Sequence, residues 1–189
     1  MVHVSSTFLA SLALAATSVS ASSLFFPFYV YPSKEYLDGC SNWLSVFSSI
    51  TEHPDLHFLF VINPNSGPGD GAQPDENYQQ CIPKLLEAGS NVEVFAFNEL
   101  SLSASALTNL MQIIGYVKTN YGQDPAADVE AQIATYAGWS ESYRPSGIFF
   151  DEASREAEFV ELYAEYSQVT KNSLGGKVRI SKVLLQSHC

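Results

Sequence analysis

The chain has 189 residues, enough for one ordinary domain and too few for two. Lys and Arg total 9 against 20 Asp and Glu, a formal net charge of −11, which argues against a phosphate-tracking surface and against nucleic acid as a partner. A neutral or cationic partner suits that balance better.

Residues 1–21, "MVHVSSTFLASLALAATSVSA", contain no Asp, Glu, Lys or Arg, and their apolar stretch Phe8 to Ala16 is too short to span a bilayer. It ends in Val19-Ser20-Ala21, small residues in a cleavage-site arrangement. Residues 1–21 therefore read as a signal peptide, and residues 22–189 as a secreted domain with no membrane partner. Next, "LFFPFYVY" (Leu24 to Tyr31) reads as a strand, and "NWLSVFSSI" (Asn42 to Ile50) has helical spacing in Trp43, Val46, Phe47 and Ile50. "HFLFVIN" (His57 to Asn63) is a second strand, and "NYQQCIPKLLEAG" (Asn77 to Gly89) a helix closed by a Gly. "NVEVF" (Asn91 to Phe95) predicts a third strand, followed by "GYVKTNYG" at Gly115 to Gly122. Ala126 to Tyr143 is helical, "GIFFDE" (Gly147 to Glu152) a strand, and Arg155 to Thr170 a helix with Phe159, Leu162, Tyr163 and Tyr166 on one stripe. A fifth strand is expected near Lys177.

Strands that are apolar on both faces and alternate with helices predict an α/β fold with parallel strands. A TIM barrel and an open doubly wound sheet share this pattern, and in both the ligand meets the carboxyl ends of the strands. There "GIFF" runs into Asp151 and Glu152. Because strand side chains alternate, at most one of the two follows the inward direction. The competing reading makes them a loop start that caps the next helix, with Ser154 as a second capping residue. Polar groups gather at the other strand ends: Tyr29 and Tyr31, then Asn63 and Asn65, then Lys118, Thr119, Asn120 and Tyr121. Amides, hydroxyls and rings around two acids suit a sugar.

Other chemistries have less to stand on. The loop "NPNSGPGDGAQPDEN" lacks the Lys-Ser/Thr of a phosphate cradle. His53 and His57 in "HPDLH" are separated by a Pro that argues against one helical face, and no zinc spacing surrounds them, so no metal and no cofactor is expected. No G-x-S-x-G elbow starts a Ser-His-Asp triad. Cys40 and Cys81 are candidates either for a disulfide in an oxidising compartment or for two buried thiols, and Cys189 is left over.

In the order "FYVYPS", "FVINPNSGPG", "DENYQQCIPKLLEAG", "GYVKTNYG", "DVEAQIATYAGW" and "GIFFDE", the chain resembles the spherulation-specific family of secreted fungal and slime-mould proteins, over most of Leu24 to Gly176. The resemblance implies a TIM-barrel type fold, here incomplete with four to five βα units. It also implies an endo-acting glycoside hydrolase that cleaves N-acetylgalactosamine-containing α-linked polysaccharide, the galactosaminogalactan of fungal walls. Asp151 and Glu152 match the family's catalytic pair, and no segment matches its further acid from a later strand. Tyr29, Tyr31, Asn63, Asn65, Tyr116, Thr119 and Tyr121 become the expected substrate contacts.

Two departures break the pattern. Residues 94–112 part "NVEVF" from "IIGYV" and read as a retained intron, and residues 178–189 replace the family's continuation with an atypical tail. Both predict a shortened, poorly stable or inactive form. The alternative function is a non-catalytic secreted wall- or coat-binding protein; polysaccharide deacetylation would need His and Asp metal ligands that the sequence does not offer.

Overall fold

The computed structural model describes residues 23–54, 56–89 and 111–174. The signal peptide at 1–21, the strand expected at 91–95, nearly all of the 94–112 insertion, the fifth strand near Lys177 and the 178–189 tail lie outside these residues. Four strands, β1 (Ser23–Phe28), β2 (His57–Ile62), β3 (Met111–Lys118) and β4 (Ile148–Asp151), pair in parallel in the order β1-β2-β3-β4. The helices are α1 (Leu44–Glu52), α2 (Glu76–Ala88), α3 (Ala126–Ala137) and α4 (Val160–Ser173). β3 takes in Met111 and Gln112, the last two residues of the segment read as an insertion, which register with Phe58 and Leu59 of β2.

Alternation sorts the strand residues into two faces. One carries Phe28, Phe58, Phe60, Ile62, Ile113, Val117, Ile148 and Phe150, packed with Ile50 of α1, Ile82 and Leu85 of α2, Val129 and Ile133 of α3, and Tyr166 of α4. All four helices thus share one core on one face. The other face carries a smaller cluster of Val61, Ile114 and Tyr116 with Phe25, Leu59 and Phe149. The rings of Phe25 on β1 and Phe149 on β4 lie 5.4 Å apart although two strands separate them. Three flat strand spacings would hold them roughly 14 Å apart, so the sheet is strongly concave on the face away from the helices.

Element ends differ from expectation where long-range polar contacts intervene. β1 stops at Phe28 rather than Tyr31, because the carbonyls beyond it bond to side chains: Trp43 Nε1 donates to Val30 O at 2.8 Å and Asn42 Nδ2 to Tyr31 O at 2.9 Å. α3 ends at Ala137 rather than Tyr143, because Gln73 Nε2 takes the Gly138 carbonyl at 2.8 Å while its Oε1 receives Ser140 N at 3.1 Å. Cys40 and Cys81 form a disulfide between the segment before α1 and α2.

Gly115 shows how tightly the helix layer meets the sheet. A Cβ there would lie 2.7–2.8 Å from three ring carbons of Tyr136 on α3. That ring cannot step back, since its hydroxyl receives Tyr116 N at 3.1 Å and faces the carbonyls of Tyr116 at 3.0 Å and Ile62 at 3.3 Å. We expect Gly115→Ala to cost about 3 kcal/mol, the upper range for overpacking a core. In a denaturant titration Tyr136→Leu should lower that penalty when the two changes are combined, and strict additivity would show that the ring is not the obstacle.

Candidate active site

Asp151 is the last residue of β4 and registers with Lys118 of β3. By alternation it shares the concave face with Phe149, and Tyr116 Oη on the neighbouring strand donates to its Oδ2 at 2.8 Å. Tyr29, just past β1, sets its ring edge-on to that of Tyr116, with centroids 5.4 Å apart. Three strands thus bring Tyr29, Tyr116 and Asp151 together. Burial first and the Asp151 carboxylate second push the Tyr29 phenol up to about 12, and burial and the same carboxylate raise Tyr116 further. Tyr116 is therefore a neutral donor to the acid, with the neutral Tyr29 phenol next to it.

Glu152 leans the other way. Its φ is +50°, a left-handed conformation that costs an ordinary residue about 1 kcal/mol or more. Its carboxylate lies 3.6 Å from Lys118 Nζ, both partly exposed. The loop after β3 mirrors this backbone, with Asn120 at φ +46° and Tyr121 at +57°. Tyr121 N donates to Glu152 O at 2.6 Å and Thr119 N to Asp151 O at 3.1 Å, so the two strand ends stay paired as they leave the sheet. The capping alternative is overturned: α4 starts at Val160 after a short turn at Ala157–Phe159, and no side chain caps it. Ser154 Oγ receives Glu156 N at 3.2 Å, a local turn only.

The remaining expected contacts are spread out. Tyr31 Oη donates to Asp75 Oδ1 at 3.1 Å and receives Asn77 Nδ2 at 2.8 Å, which commits it to the N-terminus of α2, where Asp75 caps the first turn. Asn63 Oδ1 receives Gly67 N at 3.0 Å and holds its own loop. Asn65 lines a separate cleft of about 330 Å³ between that loop and α3, with Asp70 and Gln132. Tyr121, whose amide bonds the Glu152 carbonyl, is 59% exposed. Thr119 needs correction as a substrate contact: it is fully buried, and its hydroxyl faces the carbonyls of Asp151 and Glu152 from behind. The sequence places Lys118 at its strand end without showing that it pairs with Glu152, and places Tyr163 on the core stripe of its helix. Helical spacing carries no sign of the hydroxyl contact that Tyr163 makes with Thr119, 44 residues away.

Among the described residues, no group of three His, Cys, Asp or Glu side chains is placed to hold a metal ion. No described helix is long and apolar enough to cross a membrane.

The raised phenols give a pH prediction. Their ordinary value is 10.0, and Tyr29 rises to about 12 in the fold, so the unfolded chain loses these protons first. Stability from this source is present in full below pH 10 and is lost as pH climbs toward 12. The thermal midpoint should hold level with respect to these groups up to about pH 10 and then fall, less steeply in Tyr29→Phe; a flat alkaline limb would contradict the buried tyrosine cluster.

This is a parallel α/β domain that delivers adjacent carboxylates to the carboxyl end of its sheet among aromatic rings and hydroxyls. The chain belongs to Spherulation-specific family 4, whose model matches residues 23–185. It is 31% identical over 162 residues to Spherulin-4 of Physarum polycephalum, covering 86% of this chain and 39% of that protein. It is also similar to the crystal structure of Aspergillus clavatus Sph3 in complex with GalNAc, with a TM-score of 0.64 and 32% identity, covering 82% of this chain and 54% of that one. The chain thus spans well under two thirds of the length of either relative.

Proposed function

We propose that this chain carries the carboxylate half of a secreted, endo-acting glycoside hydrolase for α-linked, N-acetylgalactosamine-containing polysaccharide of the galactosaminogalactan type. The observation that carries the reading is Asp151 at the end of β4, on the concave face and under the Tyr116 hydroxyl, with Glu152 beside it, in a chain 32% identical to a protein crystallised with GalNAc. Glycoside hydrolysis generally takes two carboxyl groups, one to protonate the leaving oxygen and one to activate water or attack carbon. Neutral, hydroxyl-rich surroundings suit an uncharged sugar, and exposed Tyr29 and Tyr121 offer ring faces for it to stack on.

A barrel of TIM type is the architecture we infer for the fold. It is favoured by the sequential strand order, by the placing of all four described helices on one face and by a curl that brings Phe25 against Phe149. Secretion is supported by the Cys40–Cys81 disulfide, which belongs to an oxidising compartment.

The test is release of reducing ends from galactosaminogalactan, set against a glucan of similar size. Release from the first polymer alone supports the assignment. Tight binding to galactosaminogalactan without release would make the protein a wall- or coat-binding protein instead.

A further inference from the structure

Behind the two carboxylates lies a relay of hydroxyls that the proposed chemistry does not use. Ser154 N donates to Tyr163 Oη at 3.0 Å, and that oxygen lies 2.9 Å from Thr119 Oγ1. Thr119 Oγ1 in turn sits 2.9 Å from the carbonyl of Asp151 and 3.0 Å from that of Glu152. The order of donors follows from the acceptors. A carbonyl has no proton to give, so the Thr119 proton is shared between the two carbonyls, and the Tyr163 proton is left for Thr119. Thr119 is fully buried, so neither bond competes with water.

We propose that Thr119 and Tyr163 are positioning residues that hold the Asp151–Glu152 backbone in its reactive shape, an inference that rests on the glycosidase reading above. The need for them lies in Glu152, whose φ of +50° is one that an L residue keeps only when its surroundings over-determine it. Three contacts fix it: the Thr119 hydroxyl, the Tyr121 amide at 2.6 Å and the Lys118 ion pair. The ion pair is solvent-exposed and weak. Releasing the hydroxyl relay lets Glu152 relax toward negative φ, which swings its Cβ and moves the carboxylate relative to Asp151. The relay also fastens α4 to the site, because Tyr163 is on that helix.

The experiment compares Tyr163→Phe, Thr119→Val and Thr119→Ser in the purified protein by two independent readouts. Amide hydrogen exchange needs no substrate. The relay requires faster exchange at Tyr121 and Ser154 in Tyr163→Phe and Thr119→Val, near-wild-type exchange in Thr119→Ser, and protection elsewhere unchanged. Unchanged exchange at both amides in the first two variants overturns it. In hydrolysis of galactosaminogalactan, we expect kcat to fall about 100-fold in Tyr163→Phe and Thr119→Val, with KM nearly constant and Thr119→Ser restoring the rate. A kcat within a few-fold of wild type in both variants overturns the positioning role. If the wild-type protein hydrolyses nothing, the glycosidase reading fails, and the exchange data alone decide whether the relay holds the strained residue.

Discussion

Asp151→Asn should lower kcat on galactosaminogalactan by about 10³-fold and leave the thermal midpoint where it is, within the range that loss of a proton-transferring carboxyl produces. The amide has the shape of the acid, and its oxygen can still accept the Tyr116 hydroxyl that now reaches Asp151 Oδ2 at 2.8 Å, so neither the sheet end nor the phenol loses its partner. What disappears is the charge and the capacity to take or give a proton. Glu152→Gln should act in the same direction. It gives up an exposed pair with Lys118, a contact worth about 1 kcal/mol at most, so its stability should barely move. Glu152→Gly separates chemistry from fold more sharply. At φ +50° glycine pays no steric penalty, so this variant should be inactive and yet at least as stable as the parent. The assays are initial rates of reducing-end release beside thermal unfolding. Amide variants that both retain rates within a few-fold of the parent would remove Asp151 and Glu152 from the chemistry.

What the sequence revealed, and what it hid, follows from the range of the interactions involved. β2 and β4 were legible because a strand covered on both faces is an unbroken apolar run, and the position of Asp151 followed from where "GIFF" stops. The curl of the sheet was not legible, since it appears only in contacts such as Phe25 with Phe149, between residues far apart in sequence. The strand ends were predicted to gather seven contacts around the acids, but of these Tyr116 alone bonds the Asp151 carboxylate in the structure, with Tyr29 set edge-on against its ring. Tyr31 looked the same in sequence as Tyr29. Its hydroxyl is drawn off by Asp75, which caps α2, and by Asn77 in its first turn, an attraction no local pattern announces. Thr119 was misread for a related reason. A threonine after a strand reads as surface, yet this one is buried under α4, which begins only at Val160 after Phe159 has packed over Gly122, where a Cβ would come within 2.5 Å of the ring.

Removing the Cys40–Cys81 disulfide should destabilise the protein by about 4 kcal/mol, the loop-closure value for cysteines separated by 41 positions. Against a typical total of about 5–15 kcal/mol, that is a large fraction. Both cysteines are buried among Trp43, Tyr78 and Ile82, so the clean variant is the double Cys40→Ala/Cys81→Ala, which leaves neither a lone thiol nor a buried hydroxyl without a partner. The loss should be felt locally as well. The segment between β1 and α1 is otherwise tied down by a few polar contacts, including Asn42 N to Pro32 O at 3.0 Å and Leu37 N to Asn77 Oδ1 at 2.7 Å. Freed of its covalent link to α2, it should exchange its amides faster than β2 or β3, and the exposed rings of Tyr31 and Tyr36 move with it. Denaturant midpoints of oxidised parent, reduced parent and double variant decide the matter. The reduced parent and the double variant should both lie well below the oxidised parent; equal midpoints for all three would mean that packing around Trp43 alone holds this corner, and that the disulfide contributes nothing to the platform carrying Tyr29 toward Asp151.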